Sequence, residues 1–220
     1  MHIKNRILAI GYRSLLVATC LYGVALNLYL GSHNLADMFS YYTIQSNIIV
    51  LVFFSGLLLY TCKPKVKKPA WLSPTVKGAV TICITLTFLV YHFMLVPTMF
   101  TMAAQAYAFS PANVLLHYVT PVMVIVDWLL FDIKGKFGKF DPLKWVAIPF
   151  AYLIFSLIRA QFAVFALSNS RYPYFFMDFD KLGAGRVGAY ILFISIGYIT
   201  LGYVFYTVDR LLSKIRRGKR

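Results

Sequence analysis

Apolar residues run along the chain in six long blocks, at roughly 7–30, 39–61, 75–97, 112–131, 143–167 and 186–208. A helix rises ~1.5 Å per residue, so ~20 apolar residues cross the ~30 Å hydrocarbon layer. Each block is long enough. The pattern predicts an all-α polytopic membrane protein: one six-helix transmembrane bundle over residues 1–220, with no soluble domain. The first block is longer than the ~7–15 residue apolar core of a secretory signal and has no small-residue cleavage site behind it, so it reads as a span. Ser73-Pro74, Ser110-Pro111 and Asp141-Pro142 mark three helix starts. Each places a capping oxygen before a proline, which suits the first helical position because it lacks an N–H. Pro97 is expected to end or kink the third span, leaving 98–109 as a short extra helix or an interfacial loop.

Charge sits between the blocks and is lopsided. Lys4 and Arg6, the loop 62–77, the loop 132–144 and the tail from Arg210 onward together carry seventeen basic residues. The opposite loops carry three, Arg171, Lys181 and Arg186. Basic loops stay cytoplasmic, so both termini are expected there. Trp71, Trp128 and Trp145 fall near the same boundary, as interfacial anchors would. The net charge is +15, and all seven acids are Asp. In a chain that is 60% hydrophobic, lysines in short loops set topology. They do not imply nucleic acid, although the basic face can attract anionic membrane lipids. Cys20, Cys62 and Cys83 are too few and too scattered for a disulfide or zinc framework.

The polar residues inside the blocks change the picture further, because such groups are costly in lipid and turn toward the bundle interior. At ~1.5 Å per residue, Thr43 lies ~6 Å and Asn47 ~12 Å below the outer end of span two. His117 lies ~9 Å below the start of span four, and Arg159 ~12 Å below the end of span five. His92 falls in the outer half of span three. These residues share one layer, as a polar pocket opening outward would require. Thr43, Ser46 and Asn47 share a helix face, and so do Asn113, His117 and Thr120. Arg159 has no acid at its own depth in any span and needs an anion, such as a ligand carboxylate. Arg13 is expected to snorkel to the inner interface and Asp127 to lie near the inner end of span four, both outside the pocket. The loop 168–185, with Tyr172-Pro173-Tyr174-Phe175-Phe176, reads first as an aromatic belt and second as a substrate lid.

A zinc hydrolase needs three or more ligands, and the pocket offers two histidines without a carboxylate. His92 and His117 could be axial ligands of a b-type haem, but no C-x-x-C-H motif is present. No G-x-S-x-G motif occurs either. A hydroxyl nucleophile with a histidine base remains, and Thr43 and His117 match in depth. An organic-anion transporter or channel, a haem protein and a non-catalytic scaffold remain as alternatives.

The run Phe39-Ser40-Tyr41-Tyr42-Thr43-Ile44-Gln45-Ser46-Asn47 resembles the second-helix signature of a group of bacterial six-span membrane proteins. The run from Asn113 to Pro121, followed by Asp127-Trp128-Leu129-Leu130-Phe131, resembles their fourth-helix signature. The segment Tyr172–Asp178 resembles their late loop. That group is similar to the androgen-induced-gene family of threonine hydrolases, which cleave fatty acid esters of hydroxy fatty acids. The resemblance implies an integral protein of the bacterial plasma membrane. It implies a Thr43 nucleophile and a His117 base, acting on an amphipathic fatty acyl ester without metal or organic cofactor. Ser46 and Asn47 would then stabilise the oxyanion, Arg159 would hold a substrate carboxylate, and His92 and Asn113 would line the pocket.

The charge bias makes a direct prediction: a reporter fused after Arg220 should be active on the cytoplasmic side alone. Activity on the outer side would overturn the expected orientation.

Overall fold

The computed structural model describes residues 3, 5–31, 34–63, 65, 67–166 and 168–217; Lys4, Lys219 and Arg220 of the charge pattern lie outside the described residues. Six helices among them are long and apolar enough to cross a membrane, consistent with a multi-pass integral membrane protein. They are α1 (Arg6–Leu30), α3 (Tyr42–Cys62), α4 (Pro74–Thr98), α6 (Pro111–Phe131), α7 (Asp141–Arg159) and α8 (Phe179–Arg217). Two short helices, α2 (Leu35–Ser40) and α5 (Met102–Ala108), lie at the end of the bundle opposite the basic loops. Helix α5 fills the segment after Pro97, where a short helix or a loop was expected. Large apolar side chains such as Leu21, Leu192 and Phe193 point outward, as a lipid-facing surface requires.

Local chemistry explains the helix ends only in part. The Ser73 hydroxyl accepts from the Val76 N–H and caps α4 as expected. Ser110 makes no cap bond, and its hydroxyl is buried without a partner. Asp141 is itself the first residue of α7. Its carboxylate instead accepts from the Gly138 N–H and the Thr75 hydroxyl, pinning the preceding loop to α4. Helix α7 stops at Arg159, eight residues before the apolar block ends. The apolar stretch 160–166 leaves the helix and folds into turns with an isolated antiparallel bridge, Phe165 to Ser170. Helix α8 begins early, at Phe179, and breaks at Gly183, whose φ of 72° favours glycine.

Trp128 and Trp145 are buried core residues rather than interfacial anchors; Trp71 alone is exposed. A Cβ on Gly78 would lie 2.3 Å from the Trp145 ring, so glycine there lets the indole reach the core. Trp145 donates its indole N–H to the Thr75 carbonyl and thereby joins α7 to α4.

The basic end of the bundle is closed by a buried ionic cluster. Arg13 does not snorkel to the interface. Its guanidinium donates to Asp127 at 2.9 Å and to the Thr61 hydroxyl at 2.7 Å. Lys77 donates to Asp127 and, at 2.6 Å, to Asp132. The Asp127 side chain is 0% exposed. Two cations and two carboxylates from α1, α4, α6 and its following loop thus neutralise one another where water is scarce.

Removing one member of such a cluster leaves a charge both buried and unpaired, at a cost of roughly 3–5 kcal/mol. Asp127→Ala should therefore lower unfolding stability in detergent by about that amount. A loss below about 1 kcal/mol would show that the cluster behaves as a solvated surface pair.

Candidate functional site

Thr43 lies in the first turn of α3, where Tyr41 and the bend after α2 bring the chain back into the bundle. Its Oγ1 is 3.0 Å from Nε2 of His117 on α6. The other ring nitrogen, Nδ1, is 3.0 Å from the Asn113 carbonyl oxygen. A carbonyl only accepts, so Nδ1 carries the hydrogen and donates it. Nε2 is then the lone-pair nitrogen, and the Thr43 hydroxyl donates to it. This is the tautomer a general base requires. The depth match expected from the sequence is thus a direct contact.

His117 owes its position to an irregular turn. Residues 115–119 form a π-helical turn, and so do residues 91–95 of α4. The two irregular turns face each other: the Tyr91 ring stacks on the His117 imidazole with centroids 3.6 Å apart and planes at 16°. The Tyr91 hydroxyl donates to the Ala108 carbonyl at the end of α5. Such π-turns are rare and recur at functional sites.

Thr43 stands on the wall of a cavity of about 270 Å³ enclosed by α3, α4, α7, α8 and the loop before α8. Leu86, Val90, Leu153 and Ile194 give it an apolar lining, while Tyr42, Tyr152, Tyr174 and Tyr198 bring phenol groups. Helices α7 and α8 pack together at the first turn of α7 and have little contact beyond it, and the cavity lies between their separated parts. His117 stands behind Thr43, buried, and does not line the cavity.

The other expected site residues are placed differently. Asn47 is fully buried, and its amide donates to the carbonyls of Thr43 and Leu116, at 2.8 and 3.3 Å. Ser46 donates to the same Thr43 carbonyl and shares a hydrogen bond with Thr87. Neither lines the cavity, so both fix the backbone of Thr43 and offer the cavity no donor. Asn113 serves through its carbonyl, while its side chain donates to the Tyr107 carbonyl. His92 is exposed and pairs with the Tyr118 hydroxyl at 3.2 Å. It does not meet His117, both of whose ring nitrogens have partners. Among the described residues, no group of three or more His, Cys or Asp side chains gathers to hold a metal.

Arg159 requires a correction. It is the last residue of α7, not a residue buried midway in a longer span. It also has a protein acid: its guanidinium donates to Asp37 of α2 and lies 3.7 Å over the Phe165 ring. The other Asp37 oxygen accepts from the Ala166 N–H and the Asn34 amide. Depth along the spans could not reveal this partner, because α2 folds back under the loop that follows α7. Nothing in the sequence singles out Tyr91 or Tyr152 either, and Tyr174 stands out only as one member of the aromatic run 172–176. Aromatics are too common in this chain for any one of them to signal a site.

Comparison with protein-family models, with curated proteins and with solved structures finds no match to this chain.

Because Asp37 neutralises Arg159, Arg159→Leu should act equally on a carboxylated lipid ester and its methyl ester. Asp37→Asn and Arg159→Leu should also show coupled losses of stability, with the double variant well short of additive. A selective loss for the carboxylated ester would show that the guanidinium reaches a substrate.

Proposed function

We propose that the protein is a membrane-embedded lipid ester hydrolase in which Thr43 is the nucleophile and His117 the general base. One observation carries the reading: the Thr43 hydroxyl donates to Nε2 of a histidine whose Nδ1–H is already committed to the Asn113 carbonyl. Nucleophile, base and orienting acceptor stand in a row, which is the arrangement covalent catalysis by a hydroxyl needs. The apolar wall around Thr43 supports an acyl chain as the occupant. The resemblance of Phe39–Asn47 and Asn113–Pro121 to a family of threonine hydrolases supports the same two residues. It also supports a fatty acyl ester, such as a fatty acid ester of a hydroxy fatty acid, as the substrate.

In this mechanism His117 Nε2 takes the Thr43 proton as Oγ1 attacks the ester carbon. The protonated imidazole returns that proton to the departing alcohol, leaving an acyl-threonine. Water, deprotonated by the same nitrogen, releases the fatty acid. Tyr91 covers one face of the imidazole and limits its access to bulk water. With both termini cytoplasmic, this chemistry lies in the outer half of a bacterial plasma membrane.

Thr43→Ala and His117→Ala should each lower kcat/KM for a long-chain ester by on the order of 10³-fold or more. The double variant should be hardly worse than either single one, because the pair acts as a unit. A fluorophosphonate probe should label the parent at Thr43 and fail to label Thr43→Ala. Near-parental hydrolysis by purified Thr43→Ala would sink this function.

A further inference from the structure

Attack on an ester places negative charge on the carbonyl oxygen, and a preorganised donor aimed there is worth more than most other contributions. The two side chains expected to supply it, Ser46 and Asn47, are bonded to backbone carbonyls and lie outside the cavity. The donor must therefore come from another part of the cavity wall.

Tyr174 stands on that wall together with Thr43. Of the phenols on the wall, Tyr42 bonds to the Cys83 thiol, Tyr91 donates to the Ala108 carbonyl, Tyr152 to the Ser40 carbonyl and Tyr198 to the Trp145 carbonyl, so among the described residues Tyr174 is the one whose hydroxyl is not already committed. The ring is firmly held. It stacks on Phe176 with centroids 5.2 Å apart and planes at 5°, and it packs edge-on against Tyr41 at 6.0 Å. Burial raises the phenol above its ordinary pKa, so it keeps its proton near neutral pH and can donate it in a hydrogen bond.

We propose that Tyr174 is a further catalytic residue, whose hydroxyl donates a hydrogen bond to the ester carbonyl oxygen as Thr43 attacks. The proposal rests on the hydrolase reading above. The bond from Thr43 Oγ1 to the carbonyl carbon forms while the carbonyl π pair moves onto oxygen. The Thr43 proton passes to His117 Nε2, and Tyr174 holds the oxyanion without giving up its own proton. As the carbonyl reforms, the bond to the alcohol oxygen breaks, and that oxygen takes the proton from His117. Tyr174 plays the same part when water attacks the acyl-threonine. The aromatic loop before α8 is then part of the active site, beyond the belt or lid expected from its composition.

Tyr174→Phe removes the hydroxyl and keeps the ring stack. The test compares purified full-length parent, Tyr174→Phe and Thr43→Ala on a long-chain p-nitrophenyl ester in detergent. Rates are normalised to the folded fraction read by gel filtration, so partial unfolding does not mimic the effect. Tyr174→Phe is expected to lower kcat by about 10²–10³-fold with KM within about threefold of the parent. An inactive Thr43→Ala beside a Tyr174→Phe whose kcat stays within about threefold would overturn the role of Tyr174 and leave the hydrolase standing. A rise in KM with unchanged kcat would also overturn it, making Tyr174 a binding contact. Activity in both variants would remove the hydrolase reading itself.

Discussion

The side-chain amide of Asn47 donates one hydrogen to the carbonyl of Thr43 and another to the carbonyl of Leu116. The first belongs to the proposed nucleophile, and the second precedes the proposed base by one residue. Lipid cannot hydrogen-bond these groups, so the amide has no competitor and its two bonds fix one helix against the other. The 3.0 Å approach of Thr43 to His117 depends on that register. A shift of one residue in either helix would turn the threonine or the imidazole to a different face. The π-turn at 115–119 belongs to the same arrangement, because widening the helix there disturbs the regular carbonyl pairing that an outside donor can replace.

Charge is kept away from the proposed catalytic pair. The four ionised groups of the inner cluster, Arg13, Lys77, Asp127 and Asp132, answer one another at the basic end. Arg159 and Asp37 do the same at the opposite end. Between them, the cavity holds phenols, hydroxyls and alkyl groups and has no ionised side chain on its wall. A neutral, greasy room would suit the proposed ester substrate, whose charge would appear only as the reaction proceeds, since the field felt by a developing oxyanion is then set by nearby dipoles.

Much of this was legible in the sequence where one-dimensional depth decides the outcome. Six apolar blocks became six long helices, and residues 43 and 117, placed at nearly equal depth, are in contact. Depth fails wherever the chain turns back on itself. Residues 160–166 are as apolar as a span, yet they leave the helix, because Asp37 offers a carboxylate to both Arg159 and the Ala166 N–H. Asp37 lies outside the apolar blocks, so depth alone leaves Arg159 without a partner. Face periodicity fails at the π-turns, where an extra residue per turn rotates the rest of the helix. No residue at 91–95 or 115–119 announces that irregularity. Trp128 and Trp145 show a third limit, since a tryptophan near a helix end can anchor at an interface or fill a core. Gly78, which makes room for Trp145, is far from it in sequence.

The ionic cluster and the Thr43–His117 pair share one property of position: every member lies within the first 132 residues. During synthesis the chain emerges from its N-terminus, so the first four spans can neutralise their internal charges and bring the threonine to the histidine before the last two exist. Those last two then build the remaining walls around a pair already in place. Vectorial synthesis thus separates the making of the Thr43–His117 contact from the making of the room around it. Changes in α7 and α8 can alter the shape of that room, and so what enters it, with the reactive pair left as it is.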